Sequence, residues 1–213
     1  MIQTPISKIP ELRKDLALIA DMIEPGSRVL DIGCGEGELL AYLFDAKGVD
    51  ARGIELSQAG VNLCVSQGLS VVQGDADTDL INYPEKGFDV VILSQTIQAT
   101  QKPHIVLEQM LRIGRKIIIS IPNFGYWRVR LQLLMNGTMP MTNSLPESWY
   151  ETPNIHFCTI RDFEILCRNL DVTIEKQSAV DSRGYSKLIS SSRLLMNLFG
   201  EKAVFVLTRD DGI

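Results

Sequence analysis

The sequence predicts a three-layer α/β sandwich, a mostly parallel sheet with helices on both faces. Short apolar segments bounded by Gly or acidic residues recur at 28–32, 51–55, 70–73, 88–93 and 115–121, separated by helix-length mixtures of polar and apolar residues. Strands that alternate with helices in this way build parallel sheets. The first of these strands runs into a glycine-rich bend and then a helical stretch, the arrangement by which open sheets hold ligands at their carboxyl edge. Size agrees with one globular domain carrying one insertion. The chain has 213 residues, 45% apolar and 22% charged, enough apolar surface to offset the entropy of ordering without metal or disulfide.

Ile9, Leu12, Leu16, Ile19 and Ile23 recur at helical spacing before Pro25-Gly26 stops the pattern, so residues 8–24 read as an amphipathic helix. The five strand segments follow, with Asp89 at the start of the fourth reading as a structural cap. Residues 122–158 then break the rhythm. They hold Pro122, Pro140, Pro146, Pro153 and both Trp, show no clean strand, and read as an inserted cap. Residues 159–169 read as a helix, 171–180 as a strand, Tyr185 to Phe199 as a short helix and 203–208 as the final strand.

Composition excludes several functions. Twenty-one Lys and Arg against 26 Asp and Glu give a net charge of −5, with no basic run longer than Arg115-Lys116, so nucleic acid and anionic membrane are poor partners. Cys34, Cys64, Cys158 and Cys167 form no C-x-x-C pair, which argues against a zinc knuckle or a secreted disulfide framework and for a reduced cytoplasm. Charged Lys8, Glu11, Arg13, Lys14 and Asp15 interrupt any signal-peptide core, and the longest apolar runs, Val90 to Leu93 and Ile117 to Ile119, are strand-sized. No acidic pair and His fall together at ligand spacing, so no metal site is expected.

The sharpest feature is Val29-Leu30-Asp31-Ile32-Gly33-Cys34-Gly35-Glu36-Gly37, a strand entering Gly-x-Gly-x-Gly ahead of the helix-like Glu38 to Phe44. Glycines there let a ligand approach the backbone, and the helix offers free N–H groups. Asp31 just before the first glycine would repel a pyrophosphate but suit a cationic amino group or sulfonium. The dinucleotide fingerprint needs glycine where Glu38 stands, which disfavours NAD. Glu55 ends the second strand, where a carboxylate can accept from ribose hydroxyls. Asp75, in Gly74-Asp75-Ala76-Asp77 after the third strand, could accept from an adenine amine. The expected binding set is Asp31, Gly33, Cys34, Gly35, Gly37, Glu55, Leu56, Asp75, Ala76 and Ser94, the last closing the fourth strand.

The loop Asp31 to Gly37, the run Leu93-Ser94-Gln95-Thr96-Ile97-Gln98, and two cap stretches together resemble a known family. The cap stretches are Pro122-Asn123-Phe124-Gly125-Tyr126-Trp127-Arg128-Val129-Arg130 and Trp149 to Phe163. They resemble the methionine-biosynthesis protein MetW family, within the class I S-adenosylmethionine-dependent methyltransferases. The resemblance implies a seven-stranded Rossmann-like sheet of order 3-2-1-4-5-7-6 with strand 7 antiparallel. It also implies S-adenosylmethionine or S-adenosylhomocysteine as ligand, a cytoplasmic bacterial protein, and association with homoserine O-acetyltransferase. Tyr126 stands where many relatives carry His, a departure that weakens an acid–base role at that position.

Methyl transfer from a sulfonium needs alignment and a dry pocket more than it needs acids and bases. An oxygen or nitrogen acceptor would call for a base, and the near-neutral candidates are His104 and His156. His104 follows Pro103 at a helix start and reads as a surface residue. His156, in aromatic company, and Tyr126 are the weak catalytic candidates, a packed role for His156 being favoured. The stretch from Tyr126 to Met141 is apolar on more than one face and punctuated by Arg128 and Arg130. It reads as a lid over the pocket, as an interface for a partner or a homodimer, or as both.

Overall fold

In a computed structural model, residues 12–209 are described except 182, 183, 186 and 191. Helix α1 (Lys14–Asp21) leads into β1 (Arg28–Ile32), α2 (Glu38–Lys47), β2 (Asp50–Glu55), α3 (Gln58–Ser66) and β3 (Ser70–Gln73). A single 3-10 turn, Leu80–Asn82, stands between β3 and β4 (Phe88–Ser94). Then come α4 (Pro103–Ile113), β5 (Gly114–Pro122), α5 (Trp127–Asn136), α6 (Ile160–Asn169), β6 (Thr173–Asp181), β7 (Gly184–Tyr185), α7 (Lys187–Ser190), α8 (Arg193–Phe199) and β8 (Lys202–Thr208).

The strands form one sheet in the order β3-β2-β1-β4-β5-β8-β6-β7. Strands β1 to β5 pair in parallel, and β8 runs antiparallel to both β5 and β6. With β8 counted as the seventh strand, this is the expected 3-2-1-4-5-7-6 order. A two-residue edge, β7, is added by a hairpin in which Asp181 faces Gly184.

Period-two alternation divides the core. Leu30, Ile32, Val91, Leu93, Ile117, Ile119 and Phe205 pack on the face covered by α4 and α6. Val29, Val90, Ile92, Ile118 and Val204 pack on the opposite face, against Leu16, Ile19, Leu39 and Leu43 of α1 and α2. On that second face each apolar row ends in a polar residue at the carboxyl edge: Asp31 after Val29, Ser94 after Ile92, Ser120 after Ile118. The register aligns Asp31 with Ile92 and Ser94 with Ser120, so the polar ends gather at one place.

Two elements differ from expectation. The first helix spans Lys14–Asp21 rather than 8–24; residues 8–11 of that expectation lie outside the described residues. The helix expected over Tyr185–Phe199 is two helices, with Ser192 extended between them (φ −140°, ψ 129°). Consecutive serines there compete for backbone hydrogen bonds and favour caps over helix interior. Among the described residues no helix is long and apolar enough to cross a membrane.

The stretches carrying the family resemblance have structural work. Asn123, 1% exposed, donates through Nδ2 to Asn197 O (3.1 Å) and Gly200 O (2.8 Å), and its Oδ1 accepts from Gly125 N (2.8 Å) and Ile160 N (3.3 Å). A Cβ at Gly125 would stand 2.9 Å from the side-chain oxygens of Asn123 and Asn197, so this knot excludes larger residues. Thr159 and Asp162 form a capping box at the start of α6.

Candidate functional site

β1 delivers Asp31 and Ile32 to a bend laced onto β2. Gly33 N and Cys34 N both donate to Ile54 O (2.8 and 3.2 Å), and Gly37 N donates to Cys34 O (3.0 Å). Gly33 and Gly37 have left-handed backbones (φ +70° and +81°) and no room for a side chain: a Cβ would lie 2.8 Å from Thr96 Oγ1 and 2.5 Å from Leu69 Cδ1 respectively. Gly35 (φ +57°) has nothing within 4 Å of its Cβ position. The outer glycines therefore fit the protein to itself, and the middle one leaves open space. Glu55 ties this bend to the end of β2: Oε2 accepts from Gly35 N (2.8 Å) and Oε1 from Ser57 N (2.9 Å).

A crevice of about 460 Å³ opens at this edge, lined by Asp31, Gly33, Cys34, Gly35 and Ser94 together with Arg13, Gln95 and neighbours. Asp31 is 3% exposed, and its Oδ1 is buried without a hydrogen-bond partner. Burial first and the Glu55 charge second raise its carboxyl to about 7, against the opposing pull of Arg13. Ser94 Oγ lies 3.0 Å from Ser120 Oγ, whose oxygen also accepts from Gln95 N (3.1 Å).

Of the expected binding set, five residues line this crevice. Gly37 is buried behind the bend. Glu55 ends β2 with exposed Leu56 after it, and Asp75 and Ala76 follow β3, on the same carboxyl edge. Asp75 Oδ1 accepts from Asp77 N (2.8 Å), a turn-capping bond, and Ala76 packs against the core. The two catalytic candidates stand elsewhere. His156 is exposed and shares a groove of about 280 Å³ with His104, Cys158 and α6. Tyr126 is buried and donates to Glu201 Oε1 (3.1 Å); burial, then the Glu201 charge, push its phenol up.

Four polar residues absent from the expected set line the crevice, Arg13, Glu36, Glu38 and Gln95, and buried Asp15 stands behind it in contact with Arg13 and Gln95. Gln95 has φ +54°, a conformation a non-glycine residue holds only where its surroundings enforce it. Its side-chain amide donates to Asp15. Asp15 does leave a sequence signal, an acid set between Leu12, ahead of α1, and the apolar Leu16 and Ile19 within it.

The family model described as "Methionine biosynthesis protein MetW" matches residues 13–207. The chain belongs to the MetW family. A bifunctional methionine biosynthesis protein MetXA/MetW of Rhodopirellula baltica is 34% identical over 175 residues, covering 78% of this chain and 28% of that protein. A phosphoethanolamine N-methyltransferase of Arabidopsis thaliana is 26% identical over 94% of this chain and 46% of its own length. A fatty-acid O-methyltransferase of Mycolicibacterium smegmatis is 32% identical over 42% of this chain and 34% of its own. The chain thus spans less than half the length of these curated relatives. Among solved structures, an S-adenosylmethionine-dependent methyltransferase from Archaeoglobus fulgidus superposes with a TM-score of 0.63 at 20% identity, covering 92% of this chain and 91% of that one. Another from Mesorhizobium loti reaches 0.66 at 15% identity, covering 92% and 98%. These likenesses place the MetW chain in the class I methyltransferase fold.

Proposed function

We propose that the crevice binds S-adenosylmethionine. The observation that carries this reading is Asp31: a buried carboxylate with an unpartnered oxygen, beside a glycine bend left open at Gly35. A buried polar atom without a partner is costly, and a cationic amino group supplies what Oδ1 lacks. When bound, the cofactor supplies a methyl group on a sulfonium. Asp31 holds its ammonium, the backbone of Gly33, Cys34 and Gly35 gives close approach with Gly37 supporting the bend from behind, and Ser94 closes the crevice at β4. Arg13 is the cation available for its carboxylate. Glu55 accepts from ribose hydroxyls through lone pairs its two backbone donors leave over. Leu56 and Ala76 flank the adenine, and Asp75 accepts from its amine. The test is a pair of matched titrations, Asp31→Asn against the native chain, with the affinity for S-adenosylmethionine falling in the variant.

The role that follows is that of a partner of homoserine O-acetyltransferase in methionine synthesis, in the cytoplasm. Support comes from the Rhodopirellula relative, whose name joins a MetXA part to a MetW part in one chain, and from the segment between β5 and α6. There Leu134, Met135, Trp149 and Tyr150 are each at least 70% exposed, and the Arg128 guanidinium lies 5.4 Å from the Trp127 ring centroid. Large exposed apolar surface of this kind marks interfaces. Capture from a native lysate, with acetyltransferase activity assayed with and without this protein, tests it. Co-purification with raised activity is expected; an acetyltransferase neither bound nor affected contradicts the role. A second reading, methyl transfer to a small molecule, is favoured by the likeness to a phosphoethanolamine N-methyltransferase and a fatty-acid O-methyltransferase.

A further inference from the structure

The crevice carries more negative charge than one amino group calls for. Asp31, Glu36 and Glu38 line it, and among the described residues Arg13 is the one cationic side chain in its walls. Glu55 borders it at the glycine bend, close enough that its charge raises the Asp31 carboxyl. The oxygens of Glu55 take the backbone donors of Gly35 and Ser57, and Glu38 Oε1 accepts from Arg13 N (3.2 Å). Glu36 is exposed in the bend itself. Backbone N–H groups bring no full charge, and the ion pairs among the described residues leave Glu36, Glu38 and Glu55 without a cationic partner.

A second observation marks this acidic lining as a site for a cation: Asp31, 3% exposed, keeps an oxygen buried in the same wall without a partner. With S-adenosylmethionine in the crevice, Asp31 answers the ammonium and Arg13 the carboxylate. Asp15 keeps Lys202 Nζ at 3.6 Å and the Gln95 amide when Arg13 turns to the ligand. Glu36, Glu38 and Glu55 are then left over, and so is one charge on the ligand, the sulfonium.

We propose that the crevice selects its ligand by the charge on sulfur, with Glu36, Glu38 and Glu55 as the residues that favour the sulfonium of S-adenosylmethionine over the neutral thioether of S-adenosylhomocysteine. The proposal rests on reading the crevice as the S-adenosylmethionine site and gives that site a direction: the methylated cofactor is held and the demethylated one released. One carboxylate about 10 Å from a unit cation in water-like surroundings favours it about twofold, so three together favour it about eightfold at low salt. The partial positive charge at the amino end of α2 offsets some of this. A preference of about fivefold remains, and salt screens it.

The experiment is a set of calorimetric titrations of the full, ligand-stripped chain in about 20 mM and about 500 mM salt. Three probes share the adenosine and amino-acid ends: S-adenosylmethionine, S-adenosylhomocysteine, and sinefungin, which bears an amino group on carbon where the cofactor bears a methyl on sulfur. At low salt S-adenosylmethionine and sinefungin should each bind about fivefold tighter than S-adenosylhomocysteine, and the ratio should fall toward one at high salt. Glu36→Gln and Glu38→Gln should each narrow the ratio about twofold; the second keeps an acceptor for Arg13 N, and melting temperatures show that both variants fold. Glu85→Gln, which removes the same charge ahead of β4 at the opposite edge of the sheet, should leave the ratio unchanged. Equal affinities for S-adenosylmethionine and S-adenosylhomocysteine, sinefungin ranking with S-adenosylhomocysteine, or a ratio indifferent to Glu36 and Glu38 overturns the proposal and leaves the crevice reading standing. No heat with any of the three probes overturns the crevice reading itself.

Discussion

At Asp31 the folded chain holds a proton that the unfolded chain gives up, because burial and Glu55 raise the carboxyl from 3.8 to about 7. The folded state binds more protons between those values, so the stability this group contributes is full below about pH 4 and is lost as pH rises through 7. Asp31→Asn should flatten that part of the stability curve in the ligand-free protein, measured by urea melts from pH 4 to 8; an unchanged slope would place the load elsewhere. A cationic ligand favours the ionised form, so S-adenosylmethionine should bind more tightly as pH rises from 6 to 8 and release a proton on binding. Calorimetry in two buffers of different ionisation heat measures that release. Glu55→Ala should weaken the ligand by about 1–3 kcal/mol, the cost of unpaired polar groups, and loosen the glycine bend it tethers. Asp31 to Gly37 was legible because strand, bend and helix follow one another locally. Arg13, Asp15 and Gln95 were not, since their meeting depends on how α1 docks and on the positive φ after β4.

At the scale of elements, α5 escaped sequence reading because its apolar residues face all sides and erase the helical period; Val129 is its one buried residue. The same property makes it testable. Leu134→Ser, at 83% exposed, should change stability by no more than about 0.5 kcal/mol yet reduce capture of the acetyltransferase; undiminished capture would move the interface off this helix. The strands and most of the helices were legible from alternation of period and from Gly and Pro punctuation. The split between α7 and α8 and the hairpin strand β7 were not, since a run of serines and a two-residue edge leave little hydrophobic pattern. The motif stretches that marked the family have a physical reason in this fold. Asn123→Ala should cost about 3 kcal/mol in denaturant unfolding, because it strands buried backbone groups of three separate segments; a loss under about 1 kcal/mol would mean water replaces the side chain.

Across the whole molecule, the crevice and the β5–α6 segment both lie at the carboxyl edge of one sheet, where Gln95 of the crevice holds Asp15 and Tyr126 of the segment holds Glu201 just ahead of β8. If occupancy of the crevice changes the affinity for the partner, linkage makes the effect reciprocal, each changing the affinity for the other by the same factor, typically about 5- to 150-fold. Dissociation constants for the acetyltransferase complex, with S-adenosylmethionine, with S-adenosylhomocysteine and with neither, measure that factor, and three equal values would leave the crevice without a regulatory role. All of this depends on the crevice holding the cofactor its charges suit. Titration of ligand-stripped protein with S-adenosylmethionine and, separately, with NAD tests that most directly. The account predicts saturable heat at one site with S-adenosylmethionine and none with NAD; heat with NAD and none with S-adenosylmethionine would contradict it.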